Sequence, residues 1–234
     1  MIQKFKLFNK SLSEISNHKL LISTINAHCY NMTQKDIYYR EALMNSDILI
    51  PDGISVVWAI KWLTGKKLKK IAGADIFFYE LDRLNKLGGK CFFLGSTALT
   101  LSKIEKRING EYPNIVFESY SPPYKPEFIA ADNETMLAAI NKFQPDVLMI
   151  GMTAPKQEKW AYQHYNQLHV GHICCIGAVF DFYAGTVNRA PQWMIKVGME
   201  WFYRLIKEPR RMWRRYLAGN ILFIWHIIKE KLNG

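Results

Sequence analysis

A mainly parallel α/β sheet with helices on both faces is the fold class this sequence predicts, and three observations carry it. Six short runs rich in Ile, Val, Leu and Phe recur along the 234 residues, as strands buried on both faces do. Longer segments with helical spacing separate them, and strand alternating with helix implies parallel pairing. Gly, Pro, Asn or Asp bounds each run, the punctuation expected where strands end.

The strand-like runs are LLISTIN (20–26), SDILIP (46–51), KCFFLGS (90–96), NIVFESY (114–120), PDVLMIGM (145–152) and GHICCIGAVF (171–180). Helical spacing covers roughly 33–45, 54–64, 74–87, 97–110, 126–143 and 154–167. Nearly half of the residues are apolar, enough for a large core and against disorder. Cys29, Cys91, Cys174 and Cys175 form no Cys-x-x-Cys pair. They read as small buried hydrophobes in a reducing compartment. The first residues, MIQKFKLFNKSLSE, lack the apolar core of a signal peptide, so a cytoplasmic location is expected.

In such a sheet ligands collect beyond the carboxyl ends of the strands. That makes candidates of Thr24 and Asn26, Asp52 and Gly53, Gly95, the segment Gly151 to Gln157, and Gly177 to Asp181. Pro51 stops the second strand. Asp52 then either caps the helix that begins near Gly53 or faces a ligand. Gly-rich turns before helices favour phosphate. GSTALT (95–100) is not the dinucleotide fingerprint, however, and GMTAPKQE (151–158) is not a P-loop. No Asp-x-Asp pair occurs, so no obvious metal clamp is offered to a nucleotide diphosphate. Arg, Lys and backbone N–H groups would have to meet its charge.

The formal net charge is +11, which points to an anionic partner. Residues 191–208 place apolar side chains at 194, 197, 201, 202 and 205, the pattern of a helix with one buried stripe. Pro209 marks a break. Arginines at 210, 211, 214 and 215 follow, interleaved with Trp213 and Tyr216. Beyond them Leu217, Ile221, Ile224, Trp225 and Ile228 share a helical face, widened by Leu222, Phe223 and Ile227. Three readings compete: a helix completing the core, a nucleic-acid arm, and a helix lying in an anionic membrane surface. The long aliphatic stretch argues against nucleic acid, and about a dozen apolar residues are too few to span a bilayer. The expected division is a catalytic domain over 1–208 and a basic amphipathic membrane appendage over 209–234.

PDGISVVWA, KIAGADIF, FFLGS, IGMTAPKQEKW, GAVFDFYAGTVNRAPQW and GMEWFYRLIKEPRRMWRRY occur in the order seen in the WecG/TagA/CpsF glycosyltransferases, glycosyltransferase family 26, which the chain resembles over roughly 4–230. The resemblance implies a compact Rossmann-like domain of the GT-E type. It implies an inverting, metal-independent transfer, without cofactor, of a sugar from a UDP-sugar to a polyprenyl-diphosphate-linked acceptor. N-acetylmannosamine, its uronic acid and glucose are the sugars so implied. The setting would be the inner face of a bacterial membrane, in teichoic acid, capsule or exopolysaccharide synthesis. It assigns Asp52 as catalytic base and sets Thr24 against the donor sugar. Asn26, Gly53, Gly73, Asp75, Gly95, Gln157 and Asp181 are the further substrate-binding positions, and Arg204, Arg211 and Arg214 would grip the diphosphate. Ala178-Val179 stand where many members carry Gly-Gly, and His28 replaces a common acidic residue. The resemblance leaves the oligomeric state open. Two rival functions remain: a non-catalytic membrane-binding relative, and an enzyme acting on free UDP-sugar.

Overall fold

The computed structural model describes residues 2–233, apart from the side chains of Gln192, Lys196 and Arg211. In chain order come β1 (Leu20–Ile25), α1 (Ala27–Thr33), α2 (Ile37–Met44), β2 (Ile48–Pro51), α3 (Ile54–Thr64) and α4 (Gly73–Leu87). Next are β3 (Lys90–Gly95), α5 (Ala98–Glu111), β4 (Val116–Tyr120), α6 (Ala130–Phe143), β5 (Val147–Gly151), α7 (Lys156–Gln163) and β6 (His172–Cys175). The helices α8 (Val179–Tyr183), α9 (Gln192–Lys196), α10 (Glu200–Lys207), α11 (Pro209–Trp213) and α12 (Gly219–Leu232) complete the chain.

The six strands form one sheet in the order β2-β1-β6-β5-β3-β4, and every pair is parallel. Successive strand residues serve opposite faces, as the two-residue period requires. Phe93 packs with Phe77 and Phe180 on one side, while Phe92 and Leu94 pack with Met136, Ile140 and Trp160 on the other. The four cysteines are buried and free.

Two expected helical segments differ from those observed. The helix expected over 33–45 begins only at Ile37, as α2, and a separate helix, α1, ends at Thr33. The Asn26 side chain accepts from Cys29 N and starts α1 at Ala27, six residues before the expected start, and Asp36 caps α2 in the same way. The segment 191–208 breaks at Gly198, whose φ of +77° is left-handed. Of its expected stripe only Met194 is buried; Val197 and Phe202 are exposed. The chain breaks at Glu208 (φ −131°, ψ 59°), and Pro209 takes the first helical position of α11, which its fixed φ suits.

From Pro209 to Leu232 the backbone stays helical through a π-turn at Arg214–Ala218. The far end of this rod is tied to the body. Phe223 and Ile227 join a buried cluster with Tyr30, Leu49 and Val56, and Asn31 donates to Gly219 O at 2.7 Å. Glu230 accepts from Ile2 N at 2.8 Å and from the Tyr30 hydroxyl at 3.1 Å.

Candidate active site

A cavity of about 970 Å³ opens beyond the carboxyl ends of β2, β1, β6 and β5. Thr24 near the end of β1 and Asn26 just beyond it enter its wall, Asp52 and Gly53 follow β2, and Gly151 ends β5 and leads on to Met152, Thr153 and Ala154. Ile176 to Val179 follow β6, and Asp181 and Phe182 stand beyond them. Gly73, Lys70, Gln157 and Glu158 complete the inner wall. Arg189, Arg204, Met212, Arg215 and Tyr216 close it from the C-terminal segment.

The strand-to-helix turn after β2 sets the carboxylate. Asp52 N donates to Ile25 O and Ile50 O, both at 2.9 Å, so its backbone is fixed to β1 and β2. The N-cap of α3 is Gly53, and no side chain caps that helix. Capping, the alternative reading of Asp52, is therefore not the use of its carboxylate. Gly53 permits a close approach: a Cβ there would stand 3.3 Å from the Asn26 Cβ, closer than ordinary contact, so Asn26 would have to shift. The Asp52 carboxyl is half-buried and accepts no hydrogen bond from the described residues. Burial, reinforced by the Glu200 carboxylate, pushes it up to about 6.

The buried Gln157 amide bridges two structures. Its Oε1 accepts from Gly177 N at 3.1 Å, and its Nε2 donates to Glu158 Oε1 at 2.8 Å. Glu158 is itself buried, and its Oε2 meets no partner among the described residues. Burial pushes this carboxyl up to about 7, so near neutrality it is about half protonated. His28 is pushed down to about 4 by burial and by the nearby Arg215 charge, and is a neutral imidazole at pH 7.

Arg204 and Arg215 each have an Nε shielded from solvent and without an acceptor among the described residues. Each guanidinium also lies near an aromatic ring, that of Phe182 at 5.5 Å and that of Tyr216 at 5.7 Å. Stacked, incompletely paired guanidinium groups suit an oxyanion that can be gripped by two oxygens at once, such as a phosphate or carboxylate.

The structure brings together Thr24, Asn26, Asp52, Gly53, Gly73, Gln157, Asp181 and Arg204. It leaves three expected residues outside the cavity wall. Gly95, at φ +113°, sits against Gly151, and a Cβ there would meet Gly151 O at 2.8 Å. Asp75 turns back to accept from Ala72 N at 2.7 Å, closing the first turn of α4. Arg214 is exposed, its guanidinium 5.4 Å from the Trp213 ring. The next residue, Arg215, enters the wall instead, at the π-turn. The Arg211 side chain lies outside the described residues. Lys70 reaches the wall, whereas Lys156 donates to Lys125 O at 2.6 Å and covers Phe128.

Glu158, Arg189, Trp58 and Trp62 are wall residues that sequence reasoning missed. Glu158 had a signal in its place beside Gln157, and Trp58 and Trp62 in their spacing of four.

A sequence model described as "Glycosyl transferase WecG/TagA/CpsF family" matches residues 4–234. A Bacillus subtilis (strain 168) protein named N-acetylglucosaminyldiphosphoundecaprenol N-acetyl-beta-D-mannosaminyltransferase is 33% identical over 198 residues, covering 85% of this chain and 75% of the relative. A Staphylococcus aureus (strain MW2) protein of the same name is 28% identical over 231 residues, 99% of this chain and 87% of the relative. A Bacillus spizizenii protein, again so named, is 32% identical over 181 residues, 77% of this chain and 68% of the relative.

Proposed function

The chain belongs to the WecG/TagA/CpsF family of glycosyltransferases, and from that premise we propose that it moves an N-acetylmannosamine-type sugar from UDP to a polyprenyl-diphosphate-linked N-acetylglucosamine. The relatives' names supply the acceptor and favour this sugar over its uronic acid or glucose. The family resemblance supplies the UDP donor.

The observation that carries the reading is the Asp52 carboxylate on its rigid turn. It is raised to about 6 and free of hydrogen bonds from the described residues, in the same cavity as Arg204 and Arg215. Asp52 takes the proton of the acceptor hydroxyl as its oxygen bonds to the anomeric carbon. The bond from that carbon to the diphosphate breaks, and UDP leaves with the electron pair. One displacement by one base inverts the anomeric centre. A carboxyl near 6 is ionised at neutral pH yet more basic than an ordinary aspartate, which suits it to a proton that moves late. Charge developing on the diphosphate is met by the guanidinium groups, where fixed donors act most strongly. We read the reaction as metal-independent on this account.

The side of the C-terminal rod turned from the body presents Leu217 of the π-turn and Ile221, Ile224, Trp225 and Ile228 of α12, all exposed. No helix of the described residues is long and apolar enough to cross a membrane. We read residues 209–234 as the appendage that rests on an anionic bilayer, and 1–208 as the catalytic body beneath it. The appendage would bring the site to the lipid acceptor at the inner face of the membrane.

The test is a transfer assay on vesicles carrying polyprenyl-diphosphate-N-acetylglucosamine, with a panel of UDP-sugars, EDTA throughout and Asp52→Asn as control. Product from UDP-N-acetylmannosamine that is lost in the variant is expected. Product from a different donor would revise the sugar. Wild-type product that survives in Asp52→Asn would overturn the base.

A further inference from the structure

Trp58 and Trp62, on α3, are two-thirds and half exposed, yet both stand in the wall of the cavity that holds Asp52. A soluble surface seldom leaves two neighbouring tryptophans uncovered without a use for them. Ile54, Trp58 and Trp62 recur every four residues and so share one face of the helix. That helix starts at the turn bearing Asp52. At about 1.5 Å per residue, Trp62 stands about 12 Å further along the axis than Ile54. The opposite wall is α12, which packs against α3 and contributes Phe223, Ile224 and Ile227.

Both walls run from charge to hydrocarbon. On one, Asp52 is followed by the tryptophans. On the other, Arg215, whose charge is felt at Asp52, is followed by Phe223 and Ile227. The cavity is at the upper end of the size range for a small-molecule site, so it has room for more than a sugar donor. An acceptor of the proposed class has the same order of parts: hydroxyl, sugar, diphosphate, then isoprenoid chain. The apolar arm also continues onto the exposed face of α12 through Ile224, which is both a wall residue and 55% exposed.

Resting on the proposed lipid-linked acceptor, we infer that the trough between Trp58 and Trp62 of α3 and Phe223, Ile224 and Ile227 of α12 is a subsite for the isoprene units next to the diphosphate. The enzyme holds the chain itself, in addition to any contact with the bilayer. The acceptor passes from the membrane along α12 into the trough, which draws its diphosphate to Arg215 and its sugar to Asp52.

The experiment compares two soluble acceptors, N-acetylglucosaminyl diphosphate esterified with methanol or with geraniol, without vesicles or detergent. Binding is measured by calorimetry on the intact protein, independently of turnover. Wild type is expected to bind the geranyl compound at least tenfold more tightly. Trp58→Ser/Trp62→Ser and, on the facing wall, Ile224→Ser should each reduce that preference toward unity. Leu87→Ser, an exposed apolar residue elsewhere, should preserve it. The substituted side chains are all largely exposed, so the variants should melt as wild type does. Equal binding of the two compounds by wild type, or a preference that survives both trough variants, overturns the subsite. So does a preference lost on Ile221→Ser/Trp225→Ser alone, since the chain would then lie on the outer face of α12. Binding preference without transfer from any donor would sink the proposed reaction and keep the trough; transfer without preference would do the reverse.

Discussion

At the scale of single residues the site is governed by carboxyl groups held away from water. As the proposed base, Asp52 must be ionised to take a proton, and burial with Glu200 nearby pushes it up to about 6. The rate should therefore fall about tenfold per pH unit below 6 and level off above it, in kcat/KM, which reports the free enzyme. Asp52→Asn should lower kcat by about 10²–10⁴ and abolish that limb. Glu158 is a separate case. Its carboxyl is held up to about 7 by burial, against an ordinary value near 4.5. Between these two values the folded chain binds more protons than the unfolded chain, so stability falls as pH rises through this window. The penalty approaches roughly 3 kcal/mol above pH 7. Glu158→Gln keeps the acceptor for the Gln157 amide and removes the titration. Urea unfolding at pH 5 and pH 8 should show a smaller loss across that interval in the variant than in wild type. An equal loss in both would show that Glu158 titrates as an ordinary surface acid.

At the scale of elements, α12 carries apolar residues on more than one face, and its faces have different uses. Phe223 meets the Tyr30 ring edge-on, with centroids 5.4 Å apart, and is 3% exposed. Truncating it leaves a void between α12 and α1, so Phe223→Ala should cost about 3–5 kcal/mol in chemical denaturation. Ile221, two residues earlier and 71% exposed, should tolerate alanine with little change. Deleting the whole rod would remove Phe223 and Ile227 from a shared cluster as well as any membrane contact. Point changes on the outer face are the cleaner probe of lipid binding. The register within this rod is set by the π-turn, where Gly219 N reaches back to Arg214 O. Such a turn inserts an extra residue, and here it carries Arg215 into the wall while Arg214 stays outside.

At the scale of the whole molecule, the net charge of +11 and the exposed apolar face of α12 point the same way. A basic body with an amphipathic edge should bind anionic vesicles by electrostatics and by apolar insertion together. Ile221→Glu/Trp225→Glu should weaken sedimentation with vesicles of phosphatidylglycerol at least tenfold, and raised salt should weaken wild type further. Unchanged sedimentation would move the membrane contact to another face. The cavity lies where a parallel sheet with this strand order places ligands, beyond the carboxyl ends of its strands. The C-terminal helices close it from outside.

The sequence alone determined the fold class, because strand periodicity and Gly/Pro punctuation are local signals that parallel sheets obey. It also identified the turn after β2 and the block around Gln157, since their residues sit at strand ends whatever surrounds them. Its periodicity misplaced the start of α1, because a half-buried Asn26 cap outweighed the helix-like spacing further on. Three matters were decided only by tertiary structure. One is which apolar residues of α12 meet the core. Another is which arginine enters the cavity. The third is that Glu158 is shut away from water beside Gln157. Each depends on what stands opposite a side chain, and residues distant in the chain provide that surface: α1 for Phe223, the π-turn and the β1–β2 edge for Arg215, and β6 for the Gln157–Glu158 pair.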